Sequence, residues 1–139
     1  MSEQTLRSVT LRRTSAGRFV ATNARGVELA LGSEDDTFSP VELLLAAIAG
    51  CTAIDVDTLT SRRAEPESFE LRASGDKVRD QSGNRMENLE VAFRVRFPDG
   101  EAGDAARAVL PEVVARSHDR LCTVSRTIEV GTPIAPRIE

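Results

Sequence analysis

The sequence predicts an α+β domain in which antiparallel strands pack around one buried central helix. Three observations predict it. Residues 39–61 form a long segment that is apolar or small on almost every side until Asp55, and a helix apolar on most sides is a helix covered by protein. Phe69, Leu71 and Ala73 alternate with Glu70, Arg72 and Ser74, and Leu89, Val91, Phe93, Val95 and Phe97 alternate with Glu90, Ala92, Arg94 and Arg96. That period of two marks strands with one dry and one wet face. The order is then strands, helix, strands, helix, strand.

Taken in order, residues 5–31 read as short strands. Val9 and Leu11 alternate with polar neighbours, as do Val27, Leu29 and Leu31, while Gly17 and the Asn23–Gly26 stretch supply turns. Gly32 to Thr37 is an acidic loop. Ser39 then serves as a helix N-cap, with Pro40 in the first turn and Glu42 at capping-box spacing, and the helix runs to about Ser61. The two alternating segments form a long hairpin turning over residues 79–86, where Asp80, Gly83 and Asn84 lie. A second helix is expected from Glu101 to Leu121, kinked or split at Pro111, and a last strand from Thr127 to Gly131.

A length of 139 residues fits a single domain over 1–139 with a core of its own. The net charge of −4, with 17 arginines and one lysine dispersed among 22 acids, gives no general attraction to nucleic acid or to acidic lipid. The stretch Val41–Ile54 is too short to span a bilayer, and residues 1–17 lack the apolar segment of a signal peptide. These features predict a cytoplasmic protein without membrane or nucleic-acid partners. One hairpin covers roughly one face of the central helix, so a second copy of the chain is expected to cover another, giving a homodimer.

The chemistry rests on Cys51 and Cys122, the only cysteines. In a reducing compartment such a pair points to catalysis, redox sensing or metal binding rather than to a permanent crosslink. Cys51 shares a helical stripe with Ala47, Ile48 and Ile54, where a free cysteine is ordinarily a small buried hydrophobe. Apolar burial and Asp55, one turn on, both raise its thiol pKa, so a catalytic role requires a cation from elsewhere. Cys122 lies where the second helix meets the last strand. His118, the one histidine, is four residues earlier, and Arg116, Arg120 and Arg126 crowd the same segment. An imidazolium there favours a Cys122 thiolate, although basic residues in a last helical turn also simply complement the helix dipole. Two cysteines and one histidine without CxxC spacing are a poor zinc set, and no cofactor is expected.

The segment SPVELLLAAIAGC (39–51), together with HDRLCTVSRTI (118–128), resembles the OsmC/Ohr family of bacterial thiol peroxidases, and the likeness covers essentially the whole chain. The resemblance implies an OsmC-like fold forming an intertwined homodimer with active sites at the subunit interface, acting in oxidative stress defence. It implies that Cys51 is the peroxidatic cysteine, attacking an organic or hydrogen peroxide and becoming a sulfenic acid. Cys122 is then the resolving cysteine, and an external thiol, lipoyl-type in some members, reduces the resulting disulfide.

The family's reactive thiolate is held by an arginine and a glutamate, the latter ten residues before the cysteine on the same helix. Here that position is Val41. Glu42 is adjacent, but nine helical residues place it on the side of the helix opposite Cys51, and its expected role is the capping box. Arg18 is the candidate arginine, with Arg12, Arg13 and Arg25 as rivals. The candidate catalytic set is thus Cys51, Cys122, Arg18 and Glu42, in an OsmC-like rather than a strict organic-hydroperoxide-resistance pattern. The competing reading is a non-peroxidase protein of the same fold that binds a small ligand or thiol, its cysteines not turning over.

Overall fold

A computed structural model describes residues 5–139. The chain divides into two compact units, up to Leu44 and from Leu45 onward.

The first unit is a three-stranded antiparallel meander of β1 (Val9–Ser15), β2 (Arg18–Asn23) and β3 (Glu28–Gly32). The β1–β2 turn passes through Gly17, whose φ of 72° is a conformation that glycine adopts without strain. Its carbonyl accepts a hydrogen bond from the Ser33 amide at 2.9 Å. Gly32 packs so closely against that carbonyl that a Cβ there has no room. At the second turn the Asn23 side-chain oxygen accepts hydrogen bonds from the Arg25 and Val27 amides, both at 3.0 Å, the local bonding that suits asparagine to turns. The expected capping box is present: the Ser39 amide donates to Glu42 Oε1 at 2.8 Å, and the Glu42 amide donates to Ser39 Oγ at 3.1 Å.

That box opens α1 (Pro40–Ser61), a helix of 22 residues. It is long and apolar enough, by length and composition, to cross a membrane, which the shorter stretch Val41–Ile54 did not suggest. Within the chain it buries one stripe, Ile48, Thr52, Val56 and Thr60, rather than all sides. These four recur every fourth residue, the spacing that keeps side chains on one helical face. Ile54, on another side, is 69% exposed.

The second unit continues from Leu45. β4 (Ser68–Asp80) and β5 (Gly83–Arg96) form an antiparallel hairpin paired from Ser68↔Arg96 to Asp80↔Gly83. The turn is therefore two residues, Gln81 and Ser82, and not the whole of 79–86. The Asp80 carboxylate accepts from the Ser82 amide and from Arg85, at 2.8 and 2.7 Å, and so fastens the tip. The register shifts between Ser74 and Asp76. Asn88 has a φ of 55° there and its amide side chain donates to Asp76 at 2.8 Å, which marks a bulge.

α2 (Glu101–Arg116) passes through Pro111 without dividing. It ends five residues earlier than expected and gives way to a π-helical turn, Ser117–Leu121. A short helix α3 (Thr123–Glu129) follows in place of the last strand expected over 127–131. The alternation of Thr127, Ile128, Glu129 and Val130 suggested a strand; instead Thr127 Oγ1 donates to the Thr123 carbonyl at 2.7 Å and Cys122 caps the first turn. The core of this unit comprises Ile48, Val56, Phe97, Ala106, Val113 and Cys122.

A two-cysteine candidate site

The second unit brings Cys51 and Cys122 together. Cys51 sits midway along α1, partly buried, and Cys122, fully buried, lies between the π turn and α3. Both thiols are free. The two thiols lie close enough that each shifts the other's ionisation. The π turn is what makes the approach: the wider turn ends with the Cys122 amide bonded to the Ser117 carbonyl at 2.8 Å, and Cys122 leaves the helix in an extended conformation.

The two sulfurs differ in their surroundings. Cys122 Sγ lies 3.2 Å from Ser125 Oγ, 3.4 Å from the Ser125 amide nitrogen and 3.6 Å from Thr52 Oγ1. Burial pushes the Cys122 thiol up. The Ser125 hydroxyl, the Cys51 thiol, the Ser125 amide and the Thr52 hydroxyl pull it down, and together they hold it below the ordinary thiol value. Cys51 goes the other way. Burial raises it, and the Cys122 thiol, the charge on Cys122 and the Asp55 carboxylate raise it further, against the Val124 amide alone. The resemblance assigned the peroxidatic role to Cys51, whose thiol is raised here, and the resolving role to Cys122, whose thiol is lowered.

The other candidate residues have partners in the first unit. The Arg18 guanidinium binds Asp36 Oδ1 at 2.7 Å, and Glu42 is used by the capping box. His118 is half exposed, with Nδ1 2.9 Å from Asp119 and Nε2 3.2 Å from Glu129. The hydrogen bond to Asp119 and then that to Glu129 raise its pKa, so its charge is matched by these two acids. Among the described residues no cluster of three or more His, Cys, Asp or Glu side chains has the arrangement of a metal site.

Sequence reasoning missed Thr52, Ser125 and Ser117. The available signal was a serine three residues after Cys122, the spacing at which a capping side chain meets an N3 residue. Thr52 and Ser125 also face a cleft of about 280 Å³, whose walls are mainly apolar: Ile48, Leu89, Val91, Phe93 and Ile128. Its polar rim carries His118 and Glu129. The cleft lining thus includes the two residues whose hydroxyls touch Cys122.

Comparison with known proteins gives consistent results. A sequence model described as OsmC-like protein matches residues 32–137. Uncharacterized proteins of Mycobacterium tuberculosis and Mycobacterium bovis are each 30% identical over 125 residues, covering 88% of this chain and 88% of their own. Among solved structures, a hypothetical protein from Aquifex aeolicus aligns with a TM-score of 0.73 at 20% identity, covering 93% of this chain and 91% of that one. An OsmC-like protein of unknown function from Vibrio cholerae aligns with the same TM-score at 14% identity, covering 93% and 95%. The organic hydroperoxide resistance protein OhrB of Bacillus subtilis aligns at 0.53 and 18% identity, covering 88% and 90%.

Proposed function

The chain belongs to the OsmC-like protein family, and we propose that it is a cysteine-dependent peroxide reductase acting in oxidative stress defence. The observation that carries this reading is the proximity of the two cysteines: Thr52, the residue after Cys51, donates to Cys122 Sγ at 3.6 Å, and each thiol shifts the other's ionisation, so a sulfenic acid on one can be captured by the other as a disulfide. The thiolate of Cys51, the less buried cysteine, attacks the terminal peroxide oxygen, the O–O bond breaks, and the alcohol leaves as Cys51 becomes a sulfenic acid; the Cys122 thiol displaces its oxygen as water to form the disulfide, and an external thiol, of which a lipoyl-type dithiol is one class, reduces it. The mainly apolar cleft behind Thr52 and Ser125 suits an organic peroxide, and the structural likeness to a protein named for organic hydroperoxide resistance points the same way. A reducing cytoplasm is the compartment in which two free thiols await an oxidant.

The working unit in this reading is a homodimer. Leu11, Leu29 and Ile54 stand exposed on single-chain elements, and a second copy would cover apolar surface of this kind. Sedimentation showing a monomer at micromolar concentration would remove that part of the proposal. A second reading, a small-ligand or thiol-binding protein whose cysteines do not turn over, is favoured by the raised Cys51 pKa together with the cleft. One equivalent of organic peroxide added to reduced protein separates the two. Mass mapping should find a Cys51–Cys122 disulfide, and two free thiols with unchanged mass would reject the peroxidase.

A further inference from the structure

We propose that the cleft between the end of α1 and α2 binds a small phosphate monoester with an apolar body. The proposal is independent of the two-cysteine reading, because this cleft shares no lining residue with the one that includes Thr52 and Ser125.

The charges carry it. Arg62 and Arg63, which follow the end of α1, and Arg116, in the last turn of α2, line one cleft of about 350 Å³. A single acid, Glu112, joins them there. Among the described residues none of these four side chains makes an ion pair or a side-chain hydrogen bond, although Arg18, Arg85, Arg94, Arg107 and Arg137 all pair with acids. The lining therefore holds a surplus of positive charge in a chain whose net charge is −4. Cations at a helix C-terminus also complement its dipole. That interaction uses the charge of a guanidinium and leaves its N–H fork open, and the fork matches two oxygens of a phosphate.

The floor selects the rest of the ligand. Val113 is buried and Leu59 and Val109 are half-buried, whereas the three arginines are exposed. An apolar body thus rests on Leu59, Val109 and Val113 while the anionic head meets the guanidiniums at the rim. Three arginines against one glutamate suit the dianion that a phosphate monoester becomes above its second pKa of about 6. A carboxylate brings one charge and leaves the surplus uncompensated. The volume is that of a small-ligand pocket.

The test is calorimetric titration of the reduced full chain with phenyl phosphate at pH 8 and low salt, which needs no peroxide. Binding should saturate at one ligand per chain and be about fivefold or more tighter than that of phenylacetate. Arg62→Ala, Arg63→Ala and Arg116→Ala should each weaken it about fivefold, and Arg116→Lys should recover only part of the loss. Glu112→Gln should tighten it, while Arg94→Ala, outside the cleft, should change nothing. Urea midpoints of the three arginine variants should match the native protein, since these side chains are exposed and unpaired. No saturation, equal binding of phenylacetate, or binding unmoved by the arginine variants overturns the proposal. Vesicles containing phosphatidic acid separate a lipid head group from a soluble ligand. Protein that sediments with them through Arg63 and Arg116, yet does not bind phenyl phosphate, also overturns it.

Discussion

Ser117 Oγ donates a 2.8 Å hydrogen bond to Asp55 Oδ2, so the π turn that delivers Cys122 is fastened to the helix that carries Cys51. Ser117 is fully buried, and its hydroxyl is the donor that satisfies the carboxylate one turn beyond Cys51.

Ser117→Ala should therefore cost more than a surface serine. Removing a donor from a charged, partly buried acceptor costs about 1–3 kcal/mol. Urea unfolding should show a lower midpoint with an unchanged slope. A loss within about 0.5 kcal/mol, the range of ordinary surface substitutions, would show that the bond does not hold the turn.

Glu42 and Arg18 separate structural from catalytic roles. Glu42→Ala removes the reciprocal half of the capping box and should cost about 0.5–1 kcal/mol of stability. Arg18→Ala breaks an exposed pair with Asp36 and should cost less than about 1 kcal/mol. Neither should prevent formation of the Cys51–Cys122 disulfide by peroxide. Loss of that disulfide in folded Arg18→Ala protein would place the arginine in the catalytic set.

His118 predicts a pH-dependent contribution. Its folded pKa is raised by Asp119 and then Glu129, so its stabilisation is complete below the unfolded value of about 6.5 and fades as pH rises through the folded value. The ring is more than half exposed, so solvent screening keeps the effect small. His118→Gln should lose more stability at pH 5.5 than at pH 9, read as the difference in urea midpoints. An equal loss at both would mean that the two acid contacts do not persist in solution.

Gly103 tests the packing of α2. A Cβ at this buried position would collide with the Pro98 carbonyl. Gly103→Ala should therefore destabilise by about 1–3 kcal/mol, despite alanine's better helix propensity. A gain in thermal midpoint would show that the 98–103 segment yields freely.

Much of the chain was legible because it follows simple periods. The capping box at Ser39–Glu42, the helix from Pro40 to Ser61 and the alternating faces of β4 and β5 all came from local pattern, since capping and amphipathicity are nearest-neighbour effects. The pattern failed where local preferences are nearly balanced. Thr127 to Val130 carries strand-like alternation of β-branched residues, yet it lies in and just after α3, because the Cys122 cap and its tertiary contacts override a weak propensity. The hairpin turn was drawn too wide, since the polar run 79–86 looks like a loop although most of it is paired.

By itself the sequence determined the order of elements as far as the second helix, the long apolar helix and the two cysteines, which through their flanking segments resemble the OsmC/Ohr family. Tertiary structure decided that the Cys122 sulfur lies against the stretch of α1 that carries Cys51, where Thr52 Oγ1 donates to it at 3.6 Å. That approach joins residues 70 apart in the chain, and hydrogen bonds and burial act on a thiol through distance in space, which no local pattern records.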